Sequence, residues 1–272
     1  MQLLEDDVIL ATGAGSGLGL GVVRHFQSEG AQLAIMEIVP SKVEALKAEF
    51  PDALIVQGDV TKIADLQRCR HAVVERFGRL NALVGFQGIF DQNIPLKETP
   101  LEKLDALFDE LFHVNVQGYI LSAKIFIDLL EASDGALVLT CSTAAYAADG
   151  GGLMYTATKG AVRSVVNQLA FEFAPKVRVN GVAPSGIANS QLRGPAALGM
   201  EGTKQSDIPV EDFTALIMRL MPMQHLPTPE EHGPLYAFLA SRHNRIMTGQ
   251  TVIADQGLFN RAVINENRAT KK

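Results

Sequence analysis

Val8-Ile9-Leu10-Ala11-Thr12-Gly13-Ala14-Gly15-Ser16-Gly17-Leu18-Gly19-Leu20-Gly21-Val22-Val23 begins as a short apolar run, breaks into a glycine-rich loop and passes directly into apolar residues at helical spacing. A strand that enters a helix through such a loop aims backbone N–H groups and the positive end of the helix at one spot, where a pyrophosphate binds. Glycine suits the loop because a side chain would hold a phosphate away from the backbone. The spacing is T-G-x-x-x-G-x-G, with Gly13, Gly17 and Gly19 as the matching glycines, and no register gives G-x-G-x-x-G. A tight strand-to-helix turn that binds nothing is the bland alternative.

Outward from this loop the same alternation continues. Apolar runs at 8–12, 32–37, 53–57, 82–85, 136–141, 177–183 and 251–254 read as buried strands. Segments 19–29, 41–50, 62–77, 101–131, 153–173 and 229–240 carry apolar residues three and four apart and read as helices. Strand and helix in alternation predict an α/β fold: one Rossmann-type doubly wound domain over 1–272, with a seven-stranded, mostly parallel sheet and helices on both faces. Segment 190–225 interrupts the rhythm with Gly194-Pro195, Gly199, Gly202, Pro209 and Pro222 and is expected to be an inserted substrate lid. The polar residues 265–272 are expected to fray.

Composition narrows the function classes. Of 272 residues, 47% are hydrophobic and 20% charged, enough for a substantial core. A formal net charge of −6 disfavours a nucleic acid partner, which selects a basic face. Cys69 and Cys141 lack C-x-x-C spacing, and the six histidines (25, 71, 113, 225, 232 and 243) show no paired ligand pattern, so neither a disulfide framework nor a metal is expected. The acidic start Met1–Asp7 does not resemble a secretory leader, and no apolar run reaches the ~18 residues of a membrane span. A soluble, unprocessed, cytoplasmic protein with no membrane partner is the expectation. Neither a G-x-S-x-G elbow nor a P-loop is present, which leaves hydrolase and kinase readings without support.

Glu37 ends the second run, about 20 residues past the glycine loop, where a carboxylate meets the adenosine ribose hydroxyls. It would repel a 2′-phosphate, so NAD is favoured over NADP; no Lys or Arg occurs between Gln32 and Ser41, Lys42 being the next cation. Glu37 as a solvated strand end is the competing reading. Gly58-Asp59-Val60, after the third run, could read an adenine edge, although Asp is also common as a helix N-cap.

Tyr155-Thr-Ala-Thr-Lys159 places a phenol and an ammonium one helical turn apart. A free phenol is a poor base at neutral pH, and a neighbouring cation favours the phenolate, so the pair can serve as a tuned acid/base. By itself such a pair also arises on solvated helix faces. Ser142 closes the fifth run and Asn115 lies in the helical stretch before it; taken singly they read as a turn cap and a buried amide.

The ordered set Thr12-Gly-x-x-x-Gly-x-Gly19, Asn115, Ser142, Tyr155-x-x-x-Lys159 and Pro184 resembles the short-chain dehydrogenases/reductases, from about residue 6 to residue 258. Within that family, 108–119, 150–159, 177–184 and Leu192-Arg-Gly-Pro195 look like the bacterial cis-dihydrodiol dehydrogenases of aromatic degradation, the biphenyl and naphthalene enzymes among them. The resemblance implies that Tyr155 takes a proton from one hydroxyl of a ring-borne cis-diol while the carbon beneath gives hydride to NAD⁺, the product becoming a catechol. Lys159 would lower the Tyr155 pKa and hold the nicotinamide ribose, Ser142 would hold the reacting oxygen, and Asn115 would organise a water relay. Cofactor contacts would come from Gly13, Ser16, Gly17, Leu18 and Gly19, from Glu37, from Asp59 and Val60, from Gly88, and from Tyr155, Lys159, Pro184 and Ile187. A homotetramer is implied. The apolar stretches 194–200 and 213–221 would close over the ring, or serve simply as lid core.

Three positions depart from the family pattern. Phe86-Gln87-Gly88 stands where Asn-Ala-Gly is usual, Pro184-Ser185-Gly186 where Pro-Gly is usual, with Asn189 in place of a Thr, and Asp255-Gln256-Gly257 where Asp-Gly-Gly is usual. The departures leave open a different small hydroxyl or carbonyl substrate, or a silent NAD-binding sensor, beside the dihydrodiol reading.

Overall fold

A computed structural model describes residues 2–148 and 150–260, so the fraying expected at 265–272 lies outside the described residues. Seven strands form one parallel sheet in the order β3-β2-β1-β4-β5-β6-β7, where β1 is Val8–Thr12, β2 Gln32–Glu37, β3 Leu54–Gln57, β4 Ala82–Gly85, β5 Ala136–Thr140, β6 Arg178–Pro184 and β7 Thr251–Ala254. Parallel strands need crossovers, and these are supplied by α1 (Gly17–Ser28), α2 (Pro40–Glu49), α3 (Ile63–Phe77), α4 (Leu104–Phe112), α5 (Gly118–Ala132), α6 (Leu153–Phe173) and α8 (Gly233–Ala240).

Strand residues alternate between two cores, as the pleat requires. Val8, Leu10, Leu83, Leu137 and Leu139 join α3, α5 and α6 on one face, where Phe126, Val162 and Val166 are fully buried. Ile9, Ala11, Val84 and Val138 join α1, α2 and α8 on the other, with Val22, Phe26 and Tyr236. Each large apolar side chain so enclosed contributes about 1.5–3 kcal/mol. No helix among the described residues is long and apolar enough to cross a membrane.

Two expected boundaries change. The stretch 101–131 is not one helix: α4 and α5 are joined by a π-helical turn, His113–Gln117, whose wider winding carries Asn115 into the interior at 0% exposure. The insertion 190–225 is built from two 3-10 turns, an antiparallel bridge between Arg193 and Lys204, and the amphipathic helix α7 (Val210–Leu220), which buries Ile217. Its inner edge is tied down by Glu110 of α4, whose carboxylate accepts from Arg193 Nη1 and Ala196 N at 3.1 Å and from Ala197 N at 2.8 Å.

With all strands parallel, their carboxyl ends open on one edge of the sheet. The order reverses between β1 and β4, which leaves a crevice there for a ligand.

Candidate active site

At the crevice, the loop after β1 folds under β2: Gly13 N donates to Met36 O at 2.9 Å. Gly13 has φ +69°, and a Cβ on it would stand 2.7 Å from Gln87 N, so only glycine fits. Ser16 caps α1 by backbone alone, and its hydroxyl instead meets Lys42 Nζ at 2.8 Å. Leu18 and Gly19 form the first turn of α1; a Cβ on Gly19 would lie 2.7 Å from Ala14 Cα.

Glu37 is buried, not solvated. One oxygen accepts from Gly15 N at 2.9 Å and the other from Ile38 N and Val39 N at 3.0 Å. This carboxylate sits beside the phosphate loop with its position set by three backbone donors. A Cβ on Gly15 would come 2.5 Å from it, so the cradle closes without a side chain. Beyond it lies an open hollow of ≈ 380 Å³ lined by Ile38, Gln57, Gly58, Asp59, Asp65 and Arg68. Asp59 contributes to that wall while its carboxylate accepts from Thr61 N and Oγ1 at 2.8 Å, and Val60 packs against Gly118.

The residues after β4 join this half to the reacting half. Tyr119 places its phenol oxygen 3.0 Å from Gln87 O and 3.3 Å from Gly85 O and Thr140 O, which pins the ends of β4 and β5 together. The unusual Gln87 returns an amide that Phe86 removes: its Oε1 accepts the Thr12 hydroxyl at 2.7 Å, and Phe86 packs on Tyr236 with ring centroids 5.1 Å apart. Gln87 Nε2 and Ser185 Oγ are buried with no protein partner at these strand ends, open to a further hydrogen bond. Gly88 lies beside Asn115 and Lys159; a Cβ there would make only ordinary contact, 3.6 Å from Asn115 Oδ1 and 3.8 Å from Lys159 Nζ.

Asn115 grips residue 89 from both sides, accepting Ile89 N at 2.9 Å and donating to Ile89 O at 3.0 Å, with Thr158 Oγ1 at 3.1 Å. Its amide is therefore a structural clasp between α4–α5, the loop after β4 and α6.

Ser142 leaves β5 in an extended conformation; its Oγ accepts Ala144 N at 3.1 Å, and its hydroxyl is close enough to the Tyr155 phenol to favour the ionised form. Tyr155 is on the first turn of α6 and 5% exposed, with the Phe90 ring edge-on at 5.0 Å. Lys159 follows one turn later, its Nζ donating to Thr140 O at 3.0 Å and lying 5.5 Å from the Tyr155 ring centroid. Ile89, Phe90, Leu107, Leu111 and Ala144 form the apolar wall around Tyr155, with Leu192 and Leu198 of the insertion against it.

Burial dominates the electrostatics of this corner. It pushes the Tyr155 phenol well above its ordinary value, and the Ser142 hydroxyl works in the other direction. Burial also pulls the Lys159 ammonium down to about 8. The Tyr–Lys spacing suggested a phenol tuned downward; in the protein alone, desolvation outweighs that.

Pro184 closes β6, and Ile187 lines a small hollow of ≈ 30 Å³ with Ser190, Ser206, Phe213 and Leu226, beside α7. Asp91, which nothing in the local spacing marks, is 3% exposed and binds Gly152 N and Tyr155 N with its two oxygens at 2.8 and 2.9 Å. Among the described residues there is no cluster of side chains able to hold a metal ion.

A family model described as Enoyl-(Acyl carrier protein) reductase matches residues 13–259. The chain is 45% identical over 267 residues to a 3-phenylpropionate-dihydrodiol/cinnamic acid-dihydrodiol dehydrogenase of Escherichia coli O7:K1 (strain IAI39 / ExPEC), covering 97% of each. A protein of the same description from Shigella boydii serotype 4 (strain Sb227) is 44% identical with the same coverage.

Proposed function

From the premise that the chain belongs to the short-chain dehydrogenase/reductase family, we propose that it oxidises an aromatic cis-dihydrodiol to the corresponding catechol with NAD⁺. The observation that carries this reading is the Tyr155 phenol, beside Ser142 and one turn from Lys159, inside an apolar wall at the mouth of the glycine-loop crevice.

The crevice fits a dinucleotide. Gly13, Gly17 and Gly19 let a pyrophosphate approach the backbone, with Ser16 and Leu18 beside it at the start of α1. Glu37 faces the adenosine ribose and excludes a 2′-phosphate, Asp59 and Val60 border the adenine hollow, and Gly88, Pro184 and Ile187 flank the nicotinamide end. When bound, NAD⁺ supplies the hydride acceptor and a positively charged ring close to the phenol.

Tyr155 then takes the proton of one ring hydroxyl while its carbon loses hydride, and the keto-alcohol left behind tautomerises to the catechol. Ser142 Oγ holds the reacting oxygen against the phenol. Lys159 offsets the charge that develops on Tyr155 and orients the nicotinamide ribose, and burial makes its charge effective there because little water screens it. Asn115 fixes the loop that carries Gly88 and so the distance between Lys159 and the cofactor; a water relay to solvent would start at this clasp. The apolar wall receives the ring, and the 190–225 insertion excludes water as a lid. The reading takes 1–272 as one catalytic domain acting in the cytoplasm as a homotetramer, which light scattering of the purified chain checks.

Incubation with NAD⁺ and the cis-dihydrodiol of biphenyl or of 3-phenylpropionate should yield NADH and catechol in equal amounts. Neither NADH nor catechol from these diols, with NADH formed from a different alcohol, would point to another substrate, and cofactor binding with no turnover of any alcohol or ketone would point to a sensor.

A further inference from the structure

Helix α6 carries both Tyr155 and Lys159, yet its N-cap is Gly152, which has no side chain to satisfy the open N–H groups of the first turn. A capping box would close such an end with two local side chains, one on the N3 N–H and one on the N-cap N–H. Here both bonds come from a single remote carboxylate. Asp91 Oδ1 accepts from Gly152 N at 2.8 Å and Oδ2 from Tyr155 N at 2.9 Å, across 61 and 64 residues of sequence. The fit is close: a Cβ on Gly152 would stand 2.6 Å from Asp91 Oδ2. The approach is held from the other side as well, since Ile89 is clasped by Asn115, Phe90 N donates to Arg193 O at 2.9 Å, and the Phe90 ring rests edge-on against Tyr155.

We propose that Asp91 is the positioning residue for Tyr155: its carboxylate caps α6 in place of a local residue and sets the phenol against Ser142. This rests on Tyr155 being the proton acceptor. Two consequences separate it from a purely structural anchor. The bonds fix the backbone of Tyr155 itself, so loosening them misplaces the phenol and lowers kcat before it touches cofactor affinity. The negative charge also opposes phenolate formation, so neutralising it should move the Tyr155 ionisation to lower pH. The groups facing Tyr155 are Lys159 from α6, Cys141 and Ser142 from the end of β5, Asp91 from the loop after β4, Tyr119 from α5 and Tyr236 from α8. Asp91 is the one carboxylic acid of this set.

The test is a cap moved from one side of the contact to the other. Asp91→Ala should lower kcat about tenfold or more while KM for NAD⁺ stays within about twofold. Asp91→Ala with Gly152→Asp puts a carboxylate at the N-cap itself, into space the first change vacates, and should recover most of the lost kcat. Asp91→Asn removes the charge and keeps one of the two acceptor atoms, and should shift the acid limb of kcat/KM to lower pH. Recovery of the melting temperature without turnover in the double variant, a kcat for Asp91→Ala within about twofold of the parent, or an unmoved acid limb in Asp91→Asn overturns the proposal. If the parent oxidises no dihydrodiol, the reading of the reaction fails while that of Asp91 stays testable. Tyrosinate absorbance titrated in the parent and in Asp91→Asn, each against the same chain with Tyr155→Phe, must still show the lower ionisation in Asp91→Asn.

Discussion

The cofactor end and the reacting end of the crevice are built in different ways. Around Gly13–Gly19 the defining bonds run between neighbours in sequence: Gly15 to Glu37 spans 22 residues and Ser16 to Lys42 spans 26. Around Tyr155 such spans (Lys159 to Thr140 across 19, Asn115 to Ile89 across 26) are joined by longer ones, Asn115 to Thr158 across 43 and Asp91 to Tyr155 across 64. The first half is one strand–loop–helix–strand unit that presents donors. The second is a meeting of β4, β5, α5 and α6 that desolvates two ionisable groups. Binding therefore depends on local backbone shape, and chemistry on tertiary burial.

If that division holds, substitutions at the reacting end should strike kcat and those at the cofactor end KM. Tyr155→Phe should lower kcat roughly a hundred- to ten-thousandfold with NAD⁺ affinity retained, read by steady-state kinetics and by fluorescence titration of bound NADH. Equal loss in both would dissolve the distinction.

Lys159→Met should also abolish most turnover, but it should make the cofactor-free protein more stable. The folded value of Lys159, about 8, lies below its ordinary 10.5. The buried ammonium thus costs stability throughout the range below about 8, and the cost fades as pH rises toward 10.5. A gain of about 1–3 kcal/mol at pH 7, shrinking by pH 10 in urea unfolding, is expected. A loss of stability at pH 7 would show that the ammonium is better compensated by Thr140 O than its burial implies.

Glu37→Gln should raise KM for NAD⁺ about tenfold at nearly unchanged kcat, and it should raise the kcat/KM ratio of NADP⁺ to NAD⁺. Lys42, standing beside Ser16, supplies the nearby cation once the carboxylate charge is gone. The smallest effect is expected between the two halves: Glu110→Ala frees the edge of the insertion and should raise KM for the diol about two- to fivefold, since a half-exposed ion pair contributes little and two backbone bonds remain replaceable by water.

Much of the fold was legible because a parallel sheet leaves a strong periodic trace. All seven apolar runs are strands, with ends shifted by a residue at Ala53, Cys141, Val177 and Pro184. The π turn at Asn115 was not legible, since an extra residue in a helical turn leaves the apolar spacing on either side almost intact. In the site, the glycine spacing and the Tyr155–Lys159 turn are visible locally, whereas the pairing of Ser142 with Tyr155 came from family resemblance. Asp91 had no trace at all: an Asp ahead of Gln92-Asn93 reads as an ordinary turn residue, and only the absence of a capping side chain at Gly152 hints that a cap must arrive from elsewhere. Phe86 stands where an amide is usual, and only the fold shows that Gln87 supplies one nearby, bound by the Thr12 hydroxyl.

By itself, the sequence determined the order of strands and helices, the loop that a pyrophosphate would need and the one-turn spacing of phenol and ammonium, because each depends on dihedral preference and periodicity over a few residues. The tertiary structure alone decided which groups those residues face. It buried Tyr155 and Lys159 enough to move their proton affinities in opposite directions, and it brought Asp91 to the helix end that holds them. Desolvation and capping at a distance are properties of neighbours that only folding supplies.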